Sequence, residues 1–360
     1  MSLDDKLQVL MDNRKAVCAP SKARERMEKL FDEGTFTELG AFAKAGENGS
    51  GVITGCGYVA GCPVYAFSQD ESVNSGAVGR VHGAKVAKLY DLAAKNGVPV
   101  VGIYDSNGAN LNEGADALAA YGDMLSAASA LSGVVPQISA VLGTCAGSAA
   151  MQACLADFVI MSEKAELFLT APFVAKARGE GAEGAGTAAN AAKSGAVQVV
   201  AKDDDEALEK VKTLVSLLPQ NNLAAAPFVE YGEDAAAAAG SAADLDAVVQ
   251  AVADTGSVFE LSGDFGKNAL TAFATVAGSS CGVVATRSAP LGVDECAKIA
   301  RFVSICDSFA LSVITFVDTE GFAPSSKAEL AGALRESARL AGVYAEATCP
   351  KIAVITGNAI

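Results

Sequence analysis

Two parts of this chain repeat each other in the same order. The matched segments lie between 213 and 222 positions apart, and each pair shares a glycine and the apolar residues around it. Chance apolar patterning does not produce three ordered matches with so small a drift, so the chain is predicted to contain two copies of one folding unit. The matched segments are 30–39 with 252–261, 98–108 with 311–321, and 136–143 with 350–357.

Strands and helices alternate in the first copy. Val98–Tyr104 and Pro136–Leu142 are unbroken apolar runs of strand length, typical of strands buried on both faces of a parallel sheet. Arg80–Asn96, which ends at Gly97, and Ala115–Leu131 carry apolar residues at helical spacing. The fold class is therefore predicted as α/β, with ligand chemistry at the carboxyl ends of the strands. The two strand ends are followed by predicted turns at 105–109 and 143–149.

The flanking segments show simpler patterns. Residues 5–31 have helix-type spacing, and two β-rich runs around Gly61 predict a β-hairpin over 51–68. The acidic run Asp203–Asp205 opens a predicted helix over 206–218, where negative side chains oppose the positive end of the helix dipole. A stretch rich in proline and alanine separates the two copies. The predicted organisation is a first domain over 1–225, a linker over 226–243 and a second domain over 244–360.

Composition argues against several classes of function. A formal net charge of -15 at pH 7 argues against nucleic acid and anionic membranes as partners. No apolar run approaches the roughly 20 residues that span a bilayer, so no membrane insertion is expected. The start of the chain lacks the regions of a signal peptide, which indicates a cytoplasmic location. The nine cysteines contain no CxxC pair and are interpreted as buried free thiols, with no metal site.

Small residues follow both central strands of the first copy. Asn107-Gly108-Ala109 and Ala146-Gly147-Ser148 each lead into a predicted helix. Backbone N–H groups at such turns are unpaired donors close to the positive end of a helix dipole. If two of them converge on one oxygen they form an oxyanion hole. The alternative is that the glycines only allow close packing of helix on sheet, and spacing alone leaves the two interpretations about equal.

A co-linear set of motifs from about residue 20 to the end carries a resemblance to a known family. Its segments are Ala23–Arg26 with Leu30–Phe42, Ser68–Asp70, Gly76–Gly79 with His82, Asp105–Gly114, Gly133–Ser139, Gly143–Ala149, Ser194-Gly195, Leu217–Asn222, Phe316–Asp318 with Gly321-Phe322, Tyr344–Thr348 and Pro350–Ile352. In these segments the sequence resembles the carboxyltransferase component of biotin-dependent acyl-CoA carboxylases and decarboxylases.

The resemblance implies a fold of two tandem crotonase-like ββα-spiral domains, the first holding acyl-CoA and the second holding biotin. The second domain is expected to be truncated, because the partner of Gly147 would fall just beyond Ile360. By position, the catalytic backbone groups are Gly108, Ala109, Gly147 and Ser148; Gly76 and Gly79 lie on the acyl-CoA side; Gly321 and Phe322 lie on the biotin side.

The same resemblance implies the cofactor and the partners. The substrate is a coenzyme A thioester such as propionyl-CoA or methylmalonyl-CoA, and biotin arrives on a carrier protein without being attached to this chain. The expected partners are that carrier, a biotin carboxylase or a decarboxylase membrane subunit, and further copies of the chain, as a dimer of facing domains or a hexamer. No side-chain base is required, so His82 is interpreted as a packed residue rather than an acid or base.

Several positions depart from the family pattern and leave alternatives open. Asn107-Gly108-Ala109-Asn110 stands where the family has Gly-Gly-Ala-Arg, and Ser148 replaces a glycine. A decarboxylase subunit of a sodium-pumping complex and a diverged, non-catalytic crotonase-fold subunit are therefore alternatives. A hydratase or isomerase would need a carboxylate at the substrate α-carbon, for which Glu113 is the candidate. A Ser/Lys protease lacks a convincing dyad.

Overall fold

The chain divides into two compact units, each with its own sheet. The computed structural model describes residues 2–45, 48–181, 183–230 and 244–360. The first unit comprises Met1–Asn190 and Val200–Thr213, and the second comprises Ala191–Val199 and Leu214–Ile360. Residues 231–243 of the predicted linker lie outside the described residues. At its start, Pro227 accepts a hydrogen bond from Ser280 and Phe228 forms a bridge with Ser279.

The first unit is built on a mixed eight-stranded sheet. The elements of this part of the chain are α1 Leu3–Val17, α2 Lys22–Leu30, β1 Thr37–Leu39, β2 Lys44–Ala45, β3 Asn48–Gly49, β4 Val52–Val59, β5 Cys62–Gln69, α3 Arg80–Asn96, β6 Val100–Ser106, α4 Ala115–Ala130, β7 Gln137–Ala146, α5 Ser148–Leu155, β8 Phe158–Ser162, β9 Glu166–Phe168, α6 Pro172–Ala177, α7 Ala188–Lys193, β10 Val199–Ala201 and α8 Asp204–Leu217. Across the sheet the strands follow one another in the order β1, β4, β5, β6, β7, β8 and β10, and β9 pairs with β7.

Local signals in the sequence decide most of these elements. The predicted hairpin is confirmed, since β4 and β5 pair antiparallel and the chain turns at Ala60 and Gly61. Helix α3 has the predicted bounds, and Gly97 ends it in the left-handed conformation, which glycine adopts without steric cost. The acidic run begins α8, where Asp203 accepts a hydrogen bond from the N–H of Glu206. A helix start is therefore confirmed there.

The second unit repeats the order of the first. Its elements are α9 Leu245–Val252, β11 Phe259–Leu261, β12 Ala269–Val276, β13 Ser279–Thr286, α10 Val293–Ser308, β14 Val313–Thr319, α11 Ser326–Ala331, α12 Ala333–Glu346 and β15 Lys351–Ala359. Strands β11 to β15 form one sheet in which β11–β12 and β12–β13 pair antiparallel and β13–β14 and β14–β15 pair parallel. Strands β1, β4, β5, β6 and β7 pair in the same way, so the predicted repeat is confirmed.

A shared hydrogen-bond pattern explains the first pair of repeated segments. The carboxylate of Asp32 accepts hydrogen bonds from the N–H groups of Ala60 and Gly61 in the hairpin turn. In the second unit Asp254 accepts the corresponding bonds from Ala277 and Gly278. The repeated aspartate is therefore retained at both places because it satisfies the donors of a tight turn.

Two expectations need correction. Strand β6 runs to Ser106 and β7 to Ala146, so both turns begin later than predicted, because the strands continue to pair beyond their apolar runs. The cysteines form no disulfide, but they are not all buried: Cys18 and Cys154 are exposed, and Cys56 and Cys62 are half-buried. No helix in the described ranges combines the length and the apolar character needed to cross a bilayer.

Candidate active site

The first predicted turn presents one unpaired backbone donor. Ser106 Oγ accepts a hydrogen bond of 3.1 Å from the N–H of Gly108, which has φ +103°. Val78 forms a parallel β-bridge with Ala109: its N–H donates to the carbonyl of Gly108, and its carbonyl accepts the N–H of Asn110. In the part of the chain that the structure describes, the N–H between them, that of Ala109, has no acceptor. The free donor is therefore Ala109, whereas the N–H of Gly108 is already paired.

The second turn has the same property. Gly147 donates its own N–H to the carbonyl of Phe168 over 2.9 Å and adopts φ 59° and ψ -123°. The chain then enters α5 at Ser148, whose N–H is one of the donors that a helix start leaves unpaired. No acceptor for it occurs among the described residues. Gly147 thus sets the backbone conformation and Ser148 presents the donor, while the catalytic role of both residues stays a prediction.

The two turns are neighbours. Ser106 on β6 is the register partner of Cys145 on β7. A Cβ added at Gly108 would lie 3.3 Å from the carbonyl oxygen of Ala146, which is closer than an ordinary van der Waals contact. Ala109 and Ser148 are both half-buried. Adjacent unpaired N–H groups on turns that carry no bulky side chain are the arrangement that an oxyanion hole needs.

A buried arginine supports both strand ends. Arg26 on α2 donates to the carboxylate of Asp105 over 2.8 Å and to the carbonyl of Leu142 over 2.9 Å. The side chains of Arg26 and Asp105 are only 8% and 5% exposed. Arg26 also pairs with Asp204 at the start of α8, over 2.9 Å. A Cβ at Gly143 would lie 2.1 Å from Asp105, so only glycine leaves room for this carboxylate.

The glycines assigned to the acyl-CoA side have clear structural roles. Gly76 has φ +66°, and an added Cβ would lie 2.1 Å from the carbonyl oxygen of Asp105. A Cβ at Gly79 would lie 2.1 Å from Glu113. Gly76 must therefore be glycine for the 76–79 segment to pack against the first turn, whereas a side chain at Gly79 would displace the carboxylate of Glu113. Whether they also contact coenzyme A stays a prediction.

Glu113 is engaged in helix capping. It accepts hydrogen bonds from the N–H of Arg80, over 2.6 Å, and from the side chain of Asn110, over 2.9 Å. A carboxylate at the start of α3 is stabilised by the helix dipole and satisfies an otherwise unpaired donor. These contacts favour a structural role for Glu113 over that of the base in a hydratase.

His82 is a core residue. Its Nε2 lies 3.5 Å from the amide nitrogen of Gln69, whose oxygen accepts the N–H of Asp105. The side chain is 1% exposed. Burial, with a smaller contribution from the charge of Lys85, lowers the pKa of His82 from 6.5 to about 3, so the ring is neutral at physiological pH. The interpretation of His82 as a packed residue agrees with these contacts.

Cys145 lies beside the second turn but is not an activated nucleophile. Burial raises the pKa of its thiol well above the ordinary value, so the thiol stays protonated. In the described part of the chain no three histidine, cysteine, aspartate or glutamate side chains form a group that could hold a metal ion. Among the described residues, the groups that these turns present without an acceptor are the backbone N–H groups of Ala109 and Ser148.

The second unit contains a copy of the first turn. Thr319 Oγ1 accepts the N–H of Gly321 over 3.2 Å, and Gly321 has φ +91°. Leu291 bridges Phe322, as Val78 bridges Ala109, at the same offset of 213 positions. The N–H of Phe322 has no acceptor within the described ranges, and its side chain is 56% exposed. Of the two residues assigned to the biotin side, Phe322 thus presents the backbone donor, and Gly321 supplies the positive φ of the turn before it.

Sequence reasoning missed the residues that hold these turns. Ser106 and Thr319 were not singled out, although each is a hydroxyl residue two positions before the matched glycine. That shared spacing was the available signal. Arg26 belongs to a family motif, but it forms ion pairs with Asp105 and Asp204. Both partners are distant from Arg26 in sequence, so no local pattern predicts these pairs.

The alternation of strands and helices, the repeat and the paired donor turns define the class. The chain belongs to the carboxyl transferase domain family, whose model matches residues 21–360. It is an α/β protein with the crotonase-like carboxyltransferase fold, as predicted.

Relatives and solved structures support this assignment over nearly the whole chain. The methylmalonyl-CoA decarboxylase subunit alpha of Propionigenium modestum is 38% identical, over 94% of this chain and 71% of the relative. The propionyl-CoA carboxylase beta chain of Saccharopolyspora erythraea is 38% identical, over 94% and 69%. A transcarboxylase 12S structure with hydrolysed methylmalonyl-coenzyme A bound, described as a hexamer, superposes with a TM-score of 0.93 at 35% identity, covering 99% of this chain and 79% of that one.

Proposed function

We propose that this protein transfers a carboxyl group between carboxybiotin on a carrier protein and the α-carbon of an acyl-CoA such as propionyl-CoA or methylmalonyl-CoA. One observation carries the proposal: the N–H groups of Ala109 and Ser148, which have no acceptor among the described residues, lie on adjacent turns, and the first of these turns recurs at Phe322. The names of the similar relatives support this substrate class.

The reaction needs two negative charges to be held on oxygen. Removing the α-proton of a thioester places charge on its carbonyl oxygen, and Ala109 and Ser148 would donate to that oxygen. Each such donor contributes about 3–4 kcal/mol to transition-state stabilisation. Phe322 would donate to the second oxygen, that of the ureido group. Carboxybiotin, when bound, supplies the CO2 and, after losing it, the base.

The small residues of the turns serve this arrangement. Gly108 and Gly147 adopt positive φ, which turns the following N–H away from the strand ladder. Ala109 leaves the backbone open to the substrate. Gly76 and Gly79 would pass close to coenzyme A on the acyl-CoA side. Neutral His82 and protonated Cys145 take no part in proton transfer.

We further propose the partners that this reaction requires. They are a biotin carrier protein and either a biotin carboxylase or a decarboxylase membrane subunit, together with further copies of this chain. A cytoplasmic location follows from such an assembly. The similarity to methylmalonyl-CoA decarboxylase subunit alpha keeps the decarboxylation direction as a second candidate, because the half-reaction is reversible and the partner subunits supply its driving force.

Calorimetry with acetyl-, propionyl- and butyryl-CoA tests the acyl-CoA side. We expect saturable binding, and free coenzyme A should bind more weakly because it lacks the thioester oxygen. Decarboxylation of methylmalonyl-CoA in the presence of free biotin tests the transfer itself. No binding of any of these thioesters would contradict the proposal. Binding without turnover, even when the carrier and the carboxylase subunit of a relative are added, would favour a non-catalytic subunit.

A further inference from the structure

Helix α1 is an amphipathic helix whose apolar face is uncovered. None of its residues is buried, whereas α2 and α3 each bury apolar residues along one face. Leu3, Leu7, Leu10 and Met11 are 74%, 49%, 53% and 64% exposed. Spacings of four, three and one residues place them on one stripe of the helix.

The helix has strong local signals, and its C-terminal end is held by Arg24, which donates to the carbonyl of Val17 over 3.0 Å, but its apolar stripe is not covered. Ser2 and Asp5 form a reciprocal capping box at its start, and Gln8 donates to Asp12 one turn later. A 15-residue helix is only marginally stable in water without packing of its apolar face. Another surface is therefore required to cover the stripe.

The charges of α1 are arranged to complement a second copy of α1. Asp4 lies in the first turn, and Arg14 and Lys15 lie in the last turn. Within the described part of the chain these three residues make no ion pair. Asp4 and Lys15 are separated by about three helical turns, so they lie on the same side of the stripe.

We propose that α1 pairs antiparallel with α1 of a second copy of this chain. This orientation places Asp4 of each copy beside Lys15 and Arg14 of the other, twice across a two-fold axis. Leu7 of one copy then packs against Leu10 of the other, and the alkyl stem of Arg14 covers Leu3. A parallel pair would set Asp4 against Asp4 and Lys15 against Lys15, which is repulsive.

The helix pair adds to a larger contact between copies. At a rise of about 1.5 Å per residue, the pair is roughly 22 Å long, which is short for a sole interface between two chains of this size. The proposal does not depend on the catalytic assignment, because none of its residues belongs to the donor turns. Its readout is association, so its failure and that of the proposed function are distinguishable.

Charge reversal in the full-length protein tests the pairing by sedimentation velocity. Asp4→Lys alone and the double variant Arg14→Glu/Lys15→Glu should each weaken self-association by about tenfold. Combining all three substitutions should restore it, and mixing the two weakened variants should give mixed dimers. Asp12→Lys, on the opposite face, is the matched control. A monomeric parent protein, or a combined variant no stronger than its parts, would overturn the proposal.

Cysteine cross-linking fixes the orientation. In a background with both exposed cysteines replaced, Cys18→Ser/Cys154→Ser, Leu7→Cys mixed with Leu10→Cys should form a disulfide rapidly. Leu3→Cys mixed with itself should not, because the two positions lie about 16 Å apart in the antiparallel pair. Rapid Leu3→Cys dimerisation would show a parallel pair and overturn the assignment. Far-UV circular dichroism checks that every variant retains its helix content.

Discussion

Replacing Gly147 by alanine should separate backbone conformation from ligand binding. Gly147 adopts φ 59° and ψ -123°, a region that L-residues rarely occupy. An added Cβ meets nothing closer than the carbonyl of Leu169 at 4.0 Å, so no clash within the protein accompanies the change. The stability cost is the conformational one alone, about 1–3 kcal/mol in the free energy of unfolding.

The chain provides a conformational twin as the control. Gly114 has φ 54° and ψ -119°, also precedes a helix, and has no atom within 4 Å of an added Cβ. Gly114→Ala should therefore lose about the same stability, measured by urea unfolding of both variants. Only Gly147→Ala disturbs the N–H of Ser148 and adds a methyl group beside it.

Binding of propionyl-CoA, measured by calorimetry, should then distinguish the two variants. Displacing the N–H of Ser148 from a buried acceptor, through the altered backbone or the added methyl group, costs about 1–3 kcal/mol, which corresponds to a tenfold or greater rise in Kd for Gly147→Ala. Gly114→Ala should bind within about twofold of the parent protein. Unchanged binding by Gly147→Ala at a matched loss of stability would refute the assignment of the Ser148 donor. Equal weakening by both variants would refute it as well.

Three further predictions concern the surroundings of the turns. Arg26→Met leaves Asp105 buried without its partner and should lower the free energy of unfolding by about 3 kcal/mol or more. Lys29→Met breaks an exposed ion pair on the same helix and should lower it by less than about 1 kcal/mol. Equal losses in the two variants would contradict the role given to Arg26. His82 is the sole histidine, and its pKa is lowered from the ordinary 6.5 to about 3 in the folded state. As the pH falls from 6.5 towards 3, the imidazole is therefore protonated in the unfolded state but not in the folded state. Stability should fall by up to about 1.4 kcal/mol per pH unit in that window from this residue, and His82→Gln should show a shallower loss between pH 6.5 and 5; identical profiles would contradict the assignment. Glu113→Ala removes the carboxylate that caps α3 and should lower the free energy of unfolding by about 1 kcal/mol. If the parent protein hydrates crotonyl-CoA and the Glu113→Ala variant does not, the hydratase alternative is favoured instead.

Local and repeated patterns in the sequence determined the class of fold. The apolar runs, the glycines that end helices and the ordered repeat identify two α/β units, and β4–β5–α3–β6 and β12–β13–α10–β14 follow that order. These features depend on near neighbours in the chain, whose spacing the sequence displays directly. The family motifs extended the same information to the kind of reaction.

The sequence also indicated where the site lies but not which atoms form it. Both glycine turns were predicted, yet the donors could be assigned only when the partners of Gly108 and Gly147 were known. One partner, Ser106, is two residues away and could have been recognised, whereas Phe168 is brought to Gly147 by strand β9. Whether a backbone donor is free depends on what the rest of the chain supplies as acceptor, and no local pattern records that.

Long-range electrostatics and surface exposure were decided by the tertiary structure alone. The spacing of Arg26 along α2 does not reveal that its guanidinium joins Asp105, Leu142 and Asp204. The spacing of apolar residues in α1 is the same as in a helix packed on a core, and only the structure shows that this stripe is uncovered. Sequence spacing determines which residues share a face of an element, whereas the packing of elements distant in sequence determines what that face meets.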